Sequence, residues 1–339
     1  MARNTIKFEL KKALEQQASY GRSKHQDKLT TYEKRSEMKA QGATYEERLA
    51  INDMKNHIYS YGTMKTYQQQ VGYFGDYLIK EGHKKIGLEE SKDYIQEYIN
   101  HMVSEEKSPW TINTALASIC KATGANIHDY EHPSRSISKI DRGNAERLHD
   151  KYNEKNYADI LEANRLLGMR RSELKNLRAE NIIERNGNVV ISIKGKGGRA
   201  NEHIFILDEE KHKVLALKEG KEPHEKIFSR DMFHNDADLH RQRQLRAVEV
   251  YNRTVKDMDE HPERRDYYKQ QIYQAFADHG RTCKENLDNP YCVRGDNRQR
   301  LQMNDKDLSY DRVAVLFVSC TVLCHTRSDV TVEHYIAKS

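Results

Sequence analysis

Four stretches of this chain hold side chains whose types and spacing suit chemistry: Arg170 in "LLGMRRSEL", Lys196 in "KGKGGR", His240 with Arg243 in "LHRQRQLR", and His325 with Tyr335 in "CHTRSDVTVEHY". Taken singly, each has an ordinary reading as a solvated helix charge, a hairpin tip, a capping histidine or a core tyrosine. On a helix, however, His240 and Arg243 stand at i and i+3 and project from one face. A tyrosine hydroxyl has an unperturbed pKa of about 10, so it attacks at neutral pH only where clustered positive charge favours the phenolate. Planar arginine forks match phosphoryl oxygens better than lysine does. Together the set holds the parts that phosphoryl transfer asks for, namely positioning and charge stabilisation.

The elements that would have to position these residues can be read from periodicity. The run "YADILEANRLLGMRRSELKNL" reads as helical and carries Arg170 and Glu173. After it Val189, Ile191 and Ile193 alternate inward, the turn "KGKGGR" follows, and "NEHIFIL" alternates out again. That pattern predicts a β-hairpin with Lys196 near its tip. Helices are expected at 209–219, 236–257 and 309–322, whereas 258–308 is charged and ends in the turn-rich loop "DNPYCVRGDNRQRL". Upstream, Thr63 is a candidate N-cap for a helix burying Met64, Tyr67, Val71, Phe74 and Leu78. A second helix would turn Tyr94, Ile95, Tyr98, Ile99 and Met102 inward, and a third would run from Ser108-Pro109 to Gly124. Residues 1–50 are polar and charge-mixed, with an amphipathic stretch from Ile6 to Leu14, and read as a peripheral helical arm. From His128 the chain loses its apolar period and holds Pro133 and Gly143, which marks a linker. The expected organisation is an N-terminal arm (1–50), a helical bundle (51–130), a linker (131–150) and a second domain (151–339). The fold class is mainly α with a small antiparallel β-sheet.

Composition narrows the setting. No apolar run approaches the roughly 18–20 residues of a membrane span, and the N-terminus lacks the apolar core of a signal peptide, so a cytoplasmic protein is expected. Five cysteines without framework spacing agree with a reducing compartment. Cys283, Cys292, Cys320 and Cys324 are poorly spaced for paired zinc ligands. The 57 Lys+Arg against 52 Asp+Glu give a net charge of +5, a mild lean toward polyanions that decides nothing alone.

In their order along the chain, the chemical residues resemble the tyrosine recombinases, or integrase family. That family's motifs run Gly-x-Arg-x-x-Glu at a helix start, a Lys in a β-turn, His-x-x-Arg on a helix, Leu-Gly-His, and a Tyr beyond it. Here they read Gly168-Met169-Arg170-Arg171-Ser172-Glu173, Lys196, His240-Arg241-Gln242-Arg243, Leu323-Cys324-His325 and Tyr335. The ending "HTRSDVTVEHYI" and the loop "YCVRGD" look closest to integrases of conjugative transposons and related mobile elements.

The resemblance implies a helical core-binding domain and a catalytic domain forming a two-domain, C-shaped clamp around double-stranded DNA. It implies cutting and rejoining through a 3′-phosphotyrosine, by a homotetramer on DNA in the bacterial nucleoid, with a DNA-bending accessory protein as a further partner. Tyr335 would be the nucleophile, Arg170 and Arg243 the phosphate clamp, Lys196 the general acid, His240 the base and His325 a donor to the phosphate. Glu173 would orient the cluster by pairing with a cation. Lys194, Arg171, Arg199 and Arg327 would contact DNA. Since the phosphotyrosine keeps the energy of the phosphodiester, no cofactor, ATP or metal is expected. The chain departs from the pattern in three ways: Cys324 stands where the family usually has Gly, the stretch between Arg243 and Leu323 is long, and only Ile336 to Ser339 follow the tyrosine. Two further readings share the scaffold, a catalytically inactive DNA-binding protein and a type IB topoisomerase.

Overall fold

The computed structural model describes residues 4–135, 154–195, 200–234, 237–278 and 280–338, and divides into two compact units, Met1–Ile140 and Asp141–Ser339. In the first unit Thr5 caps α1 (Ile6–Glu15), whose Ile6, Leu10 and Leu14 recur every fourth residue and are fully buried. Burying each such side chain is worth roughly 1.5–3 kcal/mol. The expected peripheral arm is therefore corrected at its start, because that apolar stripe forms part of the bundle core. After it, α2 (Lys24–Ala40) and the capping-box helix α3 (Tyr45–Ala50) bury little.

Helix α4 (Tyr61–Lys80) begins earlier than Thr63, because the Ser60 hydroxyl caps it by accepting from the Thr63 N–H. Against α4, α1 comes so close that a Cβ on Gly75 would stand 2.7 Å from Lys7 Cβ. Ile95, Ile99 and Met102 of α5 (Ile95–Ser104) and Ile112, Leu116 and Ile119 of α6 (Pro109–Thr123) complete the core. Gly124, at φ 74°, ends α6 in the left-handed conformation.

The second unit is mainly helical with small antiparallel sheets. Helix α7 (Ala158–Leu167) stops at Gly168, and α8 (Arg171–Leu174) is a single turn, so the expected continuous helical run is broken at Gly168–Arg170. Three strands follow in the order β1 (Ile182–Arg185), β2 (Asn188–Lys194) and β3 (Ala200–Phe205). The hairpin expectation covered β2 and β3. Strand β1 joins β2 through Asn186 and Gly187, both at positive φ, the backbone that a tight hairpin turn requires.

Helices α9 (Asp208–Ala216), α10 (Leu239–Glu260) and α11 (Arg264–Asp278) come next. They are followed by β4 (Tyr291–Cys292), α12 (Gly295–Met303) and β5 (Ser309–Tyr310). Residues 258–308 are thus more regular than their charge suggested. Helix α13 (Arg312–Thr321) is buried from Val313 to Thr321 and packs on α10 and α11, and α14 (Ser328–His334) leads directly into Tyr335. Among the described residues, no helix is long and apolar enough to cross a membrane.

Candidate active site

The break between α7 and α8 is built by Gly168 and Asn164. At φ 63° Gly168 has the backbone of a left-handed cap, and a Cβ there would meet Arg246 Cγ and Val322 Cγ1 at 3.0 Å. The fully buried Asn164 carboxamide accepts from Met169 N–H (2.9 Å) and donates to Leu239 O (2.7 Å), which ties this turn to the start of α10. Arg170 then opens α8, and Glu173 reaches back to it twice, accepting from the backbone N–H (2.8 Å) and from Nη1 (2.7 Å).

Glu173 is the hub of the site and is 1% exposed. Its Oε1 also accepts from Asn201 Nδ2 at 2.7 Å, and Arg243 Nη1 lies 3.9 Å from Oε2. His203 Nε2 stands 3.7 Å from Oε2, beyond hydrogen-bond length. Burial pushes the Glu173 carboxyl up, but His203 and Arg170 outweigh it and hold the group well below the usual carboxylate range. At neutral pH this carboxylate is ionised and fixes Arg170, whose side chain keeps about a third of its surface exposed.

Arg243 and His240 share the first turns of α10. Asp238 caps that helix by accepting from Arg241 N–H, and Arg246 braces it through a two-pronged pair with Glu210 (2.7 and 2.8 Å). The fully buried Arg243 donates to two carbonyls, Gly168 O and Leu323 O, so one guanidinium joins the first motif to the last. Its Cζ lies 5.8 Å from the centre of the Tyr335 ring, and the His240 ring lies 5.7 Å from the same ring. Gln244 completes the contact by donating to Tyr335 O at 3.3 Å.

Tyr335 is 8% exposed and is held from both sides in sequence. Before it, the Ser319 and Thr331 hydroxyls meet at 2.5 Å and lock α13 to α14. After it, Ile336 and Ala337 sit in a small core with Val293, Leu301 and Val332.

Between α13 and α14 the chain turns at Cys324, whose φ of 48° is left-handed, a conformation that costs a non-glycine residue roughly 1–2 kcal/mol. The turn that glycine would favour is therefore kept with cysteine in place. Its thiol donates to Glu202 O at 3.2 Å, and burial pushes its pKa up to about 12, so it stays protonated. His325 Nδ1 accepts from Arg327 N–H at 3.3 Å, which assigns the proton of the neutral ring to Nε2. Burial first, then Arg243 and Arg170, lowers the His325 pKa to about 4. Nε2 is a buried donor with no hydrogen-bond partner among the described residues. Two guanidinium groups, a neutral imidazole N–H and a phenol thus share one region, a donor set suited to an oxyanion with a nucleophile beside it.

Arg170, Glu173, His240, Arg243, His325 and Tyr335 are brought together, whereas Lys196 and Arg199 lie outside the described residues. Lys194 is exposed at the end of β2. Arg171 turns its guanidinium onto the carbonyls of Phe233, His234 and Ala237, where it braces a loop. Arg327 is exposed and pairs with Asp329. Asn164, Asn201, His203, Glu210 and Gln244 support the site but were not singled out in the sequence. Asn201 and His203 could have been found as polar residues two apart on the inward face of an alternating strand.

No protein-family model matches this chain, and no curated protein matches it. Among solved structures, the crystal structure of XerH site-specific recombinase bound to palindromic difH substrate, a post-cleavage complex, is similar at 16% identity. The match covers 73% of this chain and 84% of that one, with a TM-score of 0.35.

Proposed function

We propose that this chain is a tyrosine site-specific recombinase, which cuts and rejoins double-stranded DNA to integrate or excise a mobile element. The observation that carries the reading is the convergence of separated motifs on one tyrosine: Arg243 bonds Gly168 O and Leu323 O while it and His240 meet the Tyr335 ring. The Tyr335 hydroxyl attacks the phosphorus of a phosphodiester, His240 takes the phenolic proton, and the bond to the 5′ oxygen breaks. Lys196 protonates that oxygen, leaving a 3′-phosphotyrosine and a free 5′ hydroxyl. Arg170, Arg243 and His325 Nε2–H hold the non-bridging oxygens as charge builds on them. Arg243 is fully buried, so in this reading the phosphate reaches it only when a neighbour yields.

In this reading the two units close on the duplex as a C-shaped clamp, with Lys194, Arg199 and Arg327 on phosphates, and recombination of two duplexes uses a homotetramer. The test is a nicked duplex, first selected by this protein from a randomised pool, incubated and run on a denaturing gel. Wild type is expected to give a covalent adduct and Tyr335→Phe none, with DNA binding near wild type because one hydroxyl changes neither shape nor charge. An adduct retained in Tyr335→Phe, or mapped to Tyr310 or Tyr291, overturns the assignment.

A further inference from the structure

Asn201 does two things at once in this site. Its Nδ2 donates to Glu173 Oε1 at 2.7 Å, on the same oxygen that accepts from Arg170 Nη1. Its carboxamide also fills the space beside Gly195, where a Cβ would stand 2.0 Å from Nδ2 and 2.6 Å from Cγ. No side chain fits there, so glycine at the exit of β2 is matched to this asparagine. The cross-strand register Ile193↔Asn201 places it at that exit, and it is 4% exposed. His203, two residues on and facing the same carboxylate, makes no hydrogen bond with either ring nitrogen among the described residues. Asn201 is therefore the one sheet residue with a direct hydrogen bond to Glu173 among the bonds described. Without Asn201 the carboxylate would be hydrogen-bonded only by Arg170 itself, through the backbone N–H on Oε2 and Nη1 on Oε1; Asn201 ties that pair to the sheet, so the Arg170 side chain and the carboxylate cannot swing together.

We infer that Asn201 is a positioning residue for the phosphate clamp: through Glu173 it sets the direction of the Arg170 guanidinium. This rests on the proposed recombinase reading. A misdirected Arg170 matters only in proportion to the negative charge it must neutralise. The diagnostic substrate is therefore one whose scissile phosphate is replaced by methylphosphonate, in which a methyl group takes the place of one charged oxygen. Asn201→Ala is expected to slow adduct formation at least tenfold on the phosphate duplex and less than threefold on the methylphosphonate, as Arg170→Ala should. A loss of fold would instead slow both substrates equally.

Asn201→Asp keeps the shape that fills the space beside Gly195 but turns the donor into an acceptor facing Glu173. It is expected to be impaired on phosphate at least as strongly as Asn201→Ala. Equal losses on the two substrates, or an Asn201→Asp variant as active as wild type, overturn the inference while leaving the recombinase reading in place. Absence of any adduct from the wild type on either substrate overturns both.

Discussion

Burial and two neighbouring guanidinium groups keep His325 neutral down to about pH 4, and this makes stability, as well as chemistry, depend on pH. An unfolded histidine takes up its proton near pH 6.5. Between those two values the unfolded chain binds more protons than the folded one, so stability rises with pH across the window. The His325 contribution is fully present above about pH 6.5, reaches about 3 kcal/mol there, and is lost as pH falls toward 4. The fully buried His203, also held below its ordinary value by burial, acts in the same direction. Urea unfolding at pH 7 and pH 5 is expected to show a smaller loss for His325→Gln than for wild type. Equal losses would count against a buried neutral ring at this position. The residues proposed to touch the reaction drew notice because they stand in the order of the family motifs they resemble, and the structure gathers Arg170, Glu173, Arg243 and Tyr335 in one place. Asn201 and His203 did not, since a polar residue on a strand is ordinary until the carboxylate it faces is known.

Gly168 shows how an element boundary can carry a site. Its left-handed backbone ends α7, its missing Cβ admits Arg246 and Val322, and its carbonyl receives Arg243. Gly168→Ala is expected to cost about 1–3 kcal/mol from positive φ and the two close contacts. Because the carbonyl under Arg243 shifts too, adduct formation should fall by more than the unfolded fraction accounts for. Urea midpoints and single-turnover adduct rates on the same samples check this, and a rate loss no larger than the stability loss would make the glycine purely structural. At this scale the sequence was readable wherever one face repeats: α5 follows its apolar period, and α6 follows both its apolar period and its caps. It misled where polar residues mask a short apolar period, as in α11, which buries Tyr268, Ile272 and Phe276 among two arginines, a lysine and three glutamines. The helical run through Gly168 is broken by the backbone of that one glycine, where α7 ends before α8 begins at Arg171.

Across the whole chain the charge balance is only +5, so general attraction to a polyanion is weak, and the proposed binding to DNA would have to come from local clusters. One such cluster opens on the second unit beside α8, a pocket of about 710 Å³ lined by Lys175, Lys221, Lys226 and Arg230, with Glu225 the acid among its lining residues. The Phe228 and Phe233 rings that line it are buried, and the cations share its accessible lining with Asn176, Ser229 and Met232. Glu225 is paired with Lys221, so Lys175, Lys226 and Arg230 are the charges available to phosphates. Each phosphate neutralised releases counterions and adds a slope of about −0.9 to the dependence of log affinity on log salt. A chain gripping several phosphates should therefore lose roughly a hundredfold or more in affinity between low and moderate salt. Lys226→Ala with Arg230→Ala is expected to flatten that slope by about 2 while weakening all duplex sequences alike, because phosphate contacts carry no base information. Fluorescence anisotropy across a salt series measures both quantities. An unchanged slope in the double variant would take this pocket out of the DNA path, and a flat response in the wild type would remove the phosphate grip on which the recombinase reading depends.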